Sequence, residues 1–324
     1  MISPPIRDGE RLRLFDATLA TDFPFAVRLP ASQAPPDLAF TVIPSPPPAW
    51  EEAGALVYTS PRRLPDGTSG CTLYRLPGCE RLSLPGADFW LWPDRIVCHL
   101  SDTTLRHLVE TYLLGPVFAY WLERRGSPVL HASAIAMEGR AAAFLGPQGT
   151  GKSGTAAALL RQGAALLCDD LVPLGERNGE PVACPGFPQM RMWPDEAAHF
   201  LEAWEQLQRV SPGADKRWIP VGSGGLGSFH GSPLPLSCLY LLDRQAGRDA
   251  PIEIHPISPR DALIELLRHS FTPLLVEAAG LQPSRLDRLA RLVRQVPVRR
   301  LRYPSGFDLL PRVAEAVRLD LERC

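Results

Sequence analysis

Lysine and asparagine are almost missing from this 324-residue chain: of 34 basic side chains only Lys152 and Lys216 are lysines, and Asn178 is the single asparagine. Arginine has taken over the generic basic surface, so a lysine that persists is a candidate for chemistry that a guanidinium cannot copy. Also lacking is any run near the roughly 18 apolar residues of a spanning helix. The nearest, Thr111 to Leu122, is interrupted by Gly115 and Pro116. Met1 to Glu10 has no basic-then-apolar signal pattern. No C-x-x-C pair occurs among seven scattered cysteines (Cys71, Cys79, Cys98, Cys168, Cys184, Cys238, Cys324), which suits reduced thiols and argues against structural zinc. Neither sign of charge is in excess, since 34 basic and 35 acidic residues leave -1; nothing draws the chain globally to nucleic acid or anionic lipid. These absences describe a soluble cytoplasmic protein that works without nucleic acid or membrane.

What is present is a folded chain, 45% hydrophobic and 21% charged, too apolar for a disordered one. Its length suits one large domain or two ordinary ones, and no internal repeat is visible. Residues 1–100 read as short apolar-alternating segments (Arg11 to Phe15, Leu38 to Ile43, Leu56 to Thr59, Thr72 to Leu76, Phe89 to Trp92) broken at Pro44 to Pro48 and Pro61 to Thr68. That pattern predicts an antiparallel β-rich subdomain. Residues 101–126 read as connecting helices, starting near Ser101 or Asp102, broken at Pro116 and ending at Gly126. The face with Phe118 and Trp121 is read as packing between the two halves. Residues 127–324 form the second domain. There the strands Val129 to Met137 and Ala141 to Leu145 lead into a glycine-rich loop, an alanine-rich helix Ser153 to Gln162 and the strand Ala164 to Cys168, the order of a βαβ unit. Further strands are expected at Leu171 to Leu174, Leu236 to Asp243, Ile252 to Ile254 and Val298 to Arg302. Helices are expected at Pro194 to Arg209, Pro259 to His269, Pro283 to Val296 and Phe307 to Glu322, the last capped by Ser305.

The loop carries the chemistry. Gly146-Pro147-Gln148-Gly149-Thr150-Gly151-Lys152-Ser153 matches G-x-x-x-x-G-K-[ST] in full, a match that chance produces in roughly one such chain in a thousand. Glycines at Gly146, Gly149 and Gly151 let the backbone fold tightly, so that N–H groups from Gln148 to Ser153 and a helix N-terminus face a polyphosphate. Lys152 then reaches the β- and γ-phosphates and Ser153 ligates magnesium. An ATP or GTP site with Mg2+ is the expectation. Asp169-Asp170 follows an apolar strand 17 residues after Lys152; a strand placed beside the loop strand brings both acids to the γ-phosphate, where a kinase needs a metal-linked acid and a base for the attacking hydroxyl. His131 lies in an apolar strand, ordinarily a core position. Ser211 to Pro233, with six glycines around Lys216 and Arg217, reads either as a surface loop or as a lid that brings those two cations onto the phosphates.

Leu130-His131-Ala132-Ser133, the loop Gly146 to Ser153, and Cys168-Asp169-Asp170-Leu171-Val172 together resemble the HPr serine kinase/phosphorylase family, whose core is akin to that of phosphoenolpyruvate carboxykinases. Pro185-Gly186-Phe187-Pro188 with Arg191-Met192-Trp193-Pro194-Asp195 looks more like the stand-alone HPr-kinase-like proteins of lasso peptide (ribosomal peptide) biosynthesis. The glycine-rich signature after an acidic metal ligand in HPr kinases is absent here. The resemblance implies an α/β P-loop kinase core with a β-rich N-terminal subdomain. By the same analogy His131 lies near the γ-phosphate, and the Asp169-Asp170 pair supplies base and metal contact; Asp170 is set beside Ser153 at the metal, while which acid is the base and which the metal ligand stays open. The implied activity is transfer of the γ-phosphoryl of ATP to a hydroxyl, foremost a serine of a protein or precursor peptide. A small-molecule kinase and a nucleotide-sensing module stay open as alternatives, and so does a homo-oligomer.

Overall fold

The computed structural model describes residues 9–46, 54–211 and 214–323. The end of the Pro44 to Pro48 break, Pro212 and Gly213 of the glycine-rich stretch, and Cys324 fall outside them. The chain divides into two compact units, Met1–Arg125 with Thr272–Pro283, and Gly126–Phe271 with Ser284–Cys324. The helices read as a separate connection thus belong to the first unit. So does the segment Thr272–Pro283, which the sequence reading placed in the later domain.

The first unit is built on one eight-stranded sheet: β1 (Glu10–Leu14), β2 (Ala17–Thr21), β3 (Leu38–Ile43), β4 (Ala55–Thr59), β5 (Thr72–Leu76), β6 (Cys79–Leu84), β7 (Ala87–Leu91) and β8 (Arg95–Leu100), in the order β1-β2-β3-β8-β7-β6-β5-β4. It is mixed rather than antiparallel, because β3 runs parallel to both β2 and β8; the long connection 22–37 replaces the hairpin that an antiparallel pair would need. β2 escapes the alternation pattern because all five of its residues are buried. Asp102 caps the following 3-10 turn, accepting the Thr104 N–H at 2.8 Å. The expected break at Pro116 is instead one wide turn, Leu113–Val117, that joins helices Arg106–Tyr112 and Phe118–Arg124; Gly115 takes the distortion at φ -123° and ψ -113°. The aromatic face belongs to the core of this unit: Phe118 meets Phe15 at 5.5 Å, and the Trp121 indole donates to the Pro93 carbonyl. Glu80, like Glu123, is a buried acid of this unit. It accepts from the Tyr120 hydroxyl at 2.7 Å and faces Arg124 and Arg75 at 3.3 Å each, the company that a buried carboxylate requires.

The second unit holds β9 (Val129–Leu130), β10 (Ala132–Met137), β11 (Arg140–Leu145), β12 (Ala165–Cys168), β13 (Val172–Arg177), β14 (Glu180–Ala183), β15 (Gln189–Met192), β16 (Arg209–Ser211), β17 (Ala214–Pro220), β18 (Ser228–Phe229), β19 (Leu234–Gln245), β20 (Glu253–Pro256) and β21 (Val298–Pro304). The run across the site is β12-β10-β11-β19-β21. β10 is antiparallel to both β11 and β12, whereas β11, β19 and β21 are mutually parallel. The simple βαβ expectation is corrected on one point: β12 does not adjoin β11, since the hairpin strand β10 lies between them. Because β10 runs the other way, β11 and β12 still end at the same edge of the sheet. That edge collects the start of β10 and the ends of β11, β12, β19 and β21.

Helix Lys152–Arg161 packs between this sheet and helix Leu310–Leu321, with Ala156, Ala157, Ala158, Leu159 and Leu160 all buried. Alanines permit that close approach, and a helix covered all round has no polar stripe to display. Enlarging Ala157, fully buried, to leucine would overpack the layer by about 1–3 kcal/mol. The helix expected over Pro194 to Arg209 stops at Phe200, where the Arg161 guanidinium donates to the Phe200 carbonyl at 2.7 Å. The apolar residues beyond it, Leu201, Trp204 and Leu207, still pack on the core, through a 3-10 turn and the irregular segments on either side of it. Ser305 caps nothing: its hydroxyl donates to the Gln245 carbonyl, and the Phe307–Leu309 turn begins at Gly306. Among the described residues no helix is long and apolar enough to cross a membrane.

Candidate active site

The glycine-rich loop leaves the end of β11 and turns into helix Lys152–Arg161. Gly146, Gly149 and Gly151 hold φ of 152°, 83° and 89°, a region closed to most side chains. A Cβ at Gly146 would lie 2.7 Å from the Thr150 hydroxyl, so glycine is required there sterically as well. Thr150 stitches the loop to itself by donating to the Pro147 carbonyl at 2.8 Å, while its own carbonyl accepts from the Tyr303 hydroxyl. No side chain caps the helix, which leaves its first-turn N–H groups available to an anion. Lys152 is 8% exposed and donates to the carbonyls of Gly146 and Pro147 at 2.9 and 3.2 Å. Burial pulls its ammonium below the ordinary value, against the opposing pull of Asp170, Asp169 and Glu196.

The two acids have separate surroundings. Asp169 is buried, and its Oδ1 accepts from Ser153 at 3.0 Å and from Ser133 at 2.5 Å; its Oδ2 accepts the Arg191 N–H at 2.8 Å. Burial raises its pKa, the Asp170 charge adds to this, and the hydrogen bonds from Ser133 and Arg191 offset only part. Asp170, at φ 70°, lies past the strand and turns its carboxylate into the cavity. There Oδ2 pairs with the Arg191 guanidinium at 2.7 Å and Oδ1 with His131 Nδ1 at 3.4 Å. Burial pushes this carboxyl up too, but Arg191, His131, Lys216 and Lys152 together outweigh it and hold it below the ordinary range. Adjacent strand residues would face opposite ways; the left-handed turn at Asp170 lets both acids serve one site.

Most of the residues expected from sequence come together. His131, Gln148, Gly149, Gly151, Lys152, Ser153, Asp170 and Lys216 line one cavity of about 670 Å³, with Gly146 and Thr150 shaping the loop and Asp169 behind Ser153. Three expectations change. His131 is not inside a strand: β9 pairs with β13 and β10 with β11, so the chain changes partners at His131, which is why its side chain reaches the cavity. Ser153 bonds Asp169 and not Asp170, the reverse of the expected pairing. The glycine-rich stretch is no free lid, for Lys216 and Arg217 lie on β17, the central strand of a small sheet β15-β17-β16. Strand alternation sends them opposite ways. Lys216 lines the cavity, its ammonium 5.5 Å from the Trp193 ring centroid, whereas Arg217 points away, donating to the Leu207 carbonyl and lying over Trp204. Arg217 is therefore outside the site.

The sequence reading missed Ser133, Arg191, Glu196, Arg244, Tyr303 and Phe307 as site residues. Glu196 occupies the third position of helix Pro194–Phe200 and accepts the Trp193 backbone N–H, half of a capping box. Its carboxylate lies 2.6 Å from where a Cβ on Gly154 would be, so the glycine after Ser153 makes room for it. Burial raises its pKa to about 7, with Asp169 and Asp195 adding to the rise and Lys216 opposing it. Arg191 and Glu196 flank the Met192-Trp193-Pro194-Asp195 run, a signal available in the chain. Arg244, Tyr303 and Phe307 have no local signal, being brought in by β19 and β21.

No protein-family model and no curated protein matches the chain. Among solved structures it is similar to the Hpr(Ser) kinase/phosphatase from Coxiella burnetii, at 14% identity over 60% of this chain and 92% of that one, with a TM-score of 0.29. A likeness of that degree says nothing about activity, which has to be read from the residues of the site.

Proposed function

We propose that the chain is a P-loop kinase of the HPr kinase/phosphoenolpyruvate carboxykinase type that transfers the γ-phosphoryl group of ATP or GTP to a hydroxyl, foremost a serine of a protein or precursor peptide. The observation that carries this reading is the paired arrangement of acids at the end of the glycine-rich loop. One, Asp169, is tied to Ser153, and the other, Asp170, faces the cavity between His131 and Arg191. A module that only senses nucleotide has use for the first acid and none for the second.

The Ser153 hydroxyl and the Asp169 carboxylate are hard oxygen donors side by side, which fits Mg2+ held jointly with phosphate oxygens rather than in an all-protein cage. Bound there, the ion would neutralise charge on the β- and γ-phosphates. Lys152 exchanges its bonds to the loop carbonyls for phosphate oxygens. Asp170, kept ionised by Arg191 and His131, accepts the hydrogen bond of the incoming hydroxyl and aims it at the γ-phosphorus. Lys216, fixed on a strand, faces the charge that spreads over the transferring group. Phosphorolysis of a phosphoserine does not enter the proposal.

Incubation with γ-labelled ATP, magnesium and host extract, followed by mass spectrometry of labelled species, tests the reading. Label on a serine that disappears with Asp170→Asn is the expected result. Label found only in inorganic phosphate at an unchanged rate in that variant would remove the kinase assignment.

A further inference from the structure

The small sheet β15-β17-β16 turns one face to the core and the other to the cavity. Met190, Met192 and Ile219, on the first, are fully buried. On the second, residues two apart along each strand alternate cation and indole: Arg191 and, just past the end of β15, Trp193; Lys216 and Trp218 on β17. The strands are antiparallel with Arg191 opposite Trp218, so each cation stands beside an indole carried by the other segment. The Arg191 guanidinium lies 4.5 Å from the Trp218 ring centroid, and the Lys216 ammonium 5.5 Å from that of Trp193. Both are within the reach of cation–π attraction.

The two pairs leave their cations different things to do. Arg191 is committed: its indole is buried beside Phe187, and its Nη1 pairs with Asp170 at 2.7 Å. Lys216 has no hydrogen bond or ion pair among the described residues, although its charge reaches Asp169, Asp170 and Glu196. Its indole is open as well, Trp193 being 39% exposed against 7% for Trp218. A ring left that open in a cavity wall offers a surface and fills no core. The backbone that presents it is fixed on both sides. The Trp193 N–H donates to the Glu196 carboxylate, its carbonyl accepts the Ala197 N–H at 2.8 Å, and Pro194 confines it to extended geometry, φ -71° and ψ 158°.

Composition supplies an independent observation, since arginine holds every basic position except Lys152 and Lys216. Arg191 shows what arginine does on this face: its planar guanidinium lies over the ring and gives its edge to a carboxylate. An ammonium is a compact charge with its three donors at the end of a flexible stem. It can lean on a ring from one side and keep donors for an oxygen, and the freedom of its stem is what a neighbouring ring removes.

We propose that Trp193 is a positioning residue for phosphoryl transfer: its ring holds the Lys216 ammonium on the transferring group, a task that admits lysine at 216 and not arginine. This inference rests on the kinase reading. In the transfer the acceptor oxygen bonds to the γ-phosphorus as the bond from that phosphorus to the β–γ bridging oxygen breaks; the acceptor proton passes to Asp170, and the nucleoside diphosphate leaves with the electron pair. Charge meanwhile spreads over the equatorial oxygens, where an ammonium already in place favours the transition state over the ground state.

Calorimetry of Mg-ADP and Mg-GDP, each with and without aluminium fluoride as a stand-in for the transferring group, tests this on the wild type, Trp193→Leu, Trp193→Phe, Lys216→Arg, Lys216→Met and the double variant Trp193→Leu/Lys216→Met. Trp193→Leu and Lys216→Arg should bind the diphosphate like the wild type and its fluoride complex about three- to thirtyfold more weakly. Trp193→Phe, which keeps a ring, should recover most of that loss. The double variant should bind the fluoride complex no worse than Lys216→Met, because the ring acts only through the ammonium. Losses that add in the double variant, or a Lys216→Arg protein equal to the wild type, would overturn the proposal. So would a diphosphate affinity that falls as far as that of the fluoride complex in a folded variant, which would make the pair a nucleotide contact. A wild type that takes the diphosphate and gains nothing from fluoride would overturn it too. Should Trp193→Leu fail to fold, Trp193→Met takes its place in the cycle. A wild type that binds neither diphosphate would remove the phosphate-loop reading together with this inference, whereas failure of the kinase reading alone shows in the labelling with Asp170→Asn.

Discussion

Replacing Glu196 by glutamine should make the protein more stable at pH 8 and leave it unchanged near pH 4.5. The carboxylate is held against Gly154 and, by burial first and the charges of Asp169 and Asp195 second, titrates at about 7 instead of 4.5. Lys216 and Lys152 face it as well and moderate the rise, and Tyr303 is within range of its charge. Between the two pKa values the folded protein holds a proton that the unfolded chain has released, so stability falls as pH rises through this window and has been lost once pH passes 7. A rise from 4.5 to about 7 corresponds to about 3.4 kcal/mol; partial solvent access reduces this to about 2–3 kcal/mol. Glutamine keeps the acceptor for the Trp193 N–H and removes the charge, so the difference between the two proteins isolates this one group. For a unit of this size each kcal/mol moves the melting temperature by roughly 2–4 °C. Scanning calorimetry at pH 4, 5, 6, 7 and 8, following the transition of the second unit, should show the two proteins melting together at pH 4, separating by about 1–3 °C at pH 5 and lying about 5–10 °C apart at pH 8. A difference that stays constant across the series would show that burial does not govern this carboxylate.

Three further outcomes are expected. Lys152→Ala should lower phosphoryl transfer roughly 30-fold to 1000-fold without lowering the melting temperature, because the mutation removes a buried charge; full turnover in the folded variant would refute the site. Asp169→Asn should raise the magnesium concentration needed for half-maximal rate, whereas Asp170→Asn should chiefly lower kcat at saturating magnesium; the opposite pattern would reverse the two assignments. In the first unit Glu80→Gln should destabilise by about 2–3 kcal/mol, since Arg124 and Arg75 lose their buried counter-charge while Tyr120 keeps an acceptor, and urea unfolding would expose an error if the midpoint did not move.

The loop and its helix were legible because their signal is local. A glycine with positive φ, a lysine and a hydroxyl at fixed spacing between an apolar strand and an alanine-rich helix carry their geometry with them, and the helix begins at Lys152, within one residue of expectation. Strands with one exposed face, such as β5, were equally readable, whereas β2, buried on every residue, gave no alternation to read. The glycine-rich stretch misled because four of its glycines occupy the turns 222–227, while the cations sit on β17, whose strand character depends on pairing with β15 and β16. Likewise the apolar spacing beyond Phe200 is that of a helix, yet tertiary packing satisfies it with a 3-10 turn and irregular chain.

By itself the sequence determined that a phosphate loop pattern exists, that two carboxylates follow an apolar strand close behind it, and that a histidine and a rare lysine stand nearby in the chain. Tertiary structure alone decided what these residues are to one another. Insertion of β10 between β11 and β12, a left-handed backbone at Asp170, and the change of strand partner at His131 gave Asp169 to Ser153 and Asp170 to the cavity. β17 turned Lys216 inward and Arg217 outward, and β21 brought Tyr303 and Phe307 from the far end of the chain to the other flank of the loop. The physical reason is the range of the interactions: dihedral preferences and residue chemistry are written within a few residues, whereas strand order is settled by burial and pairing across the whole sheet.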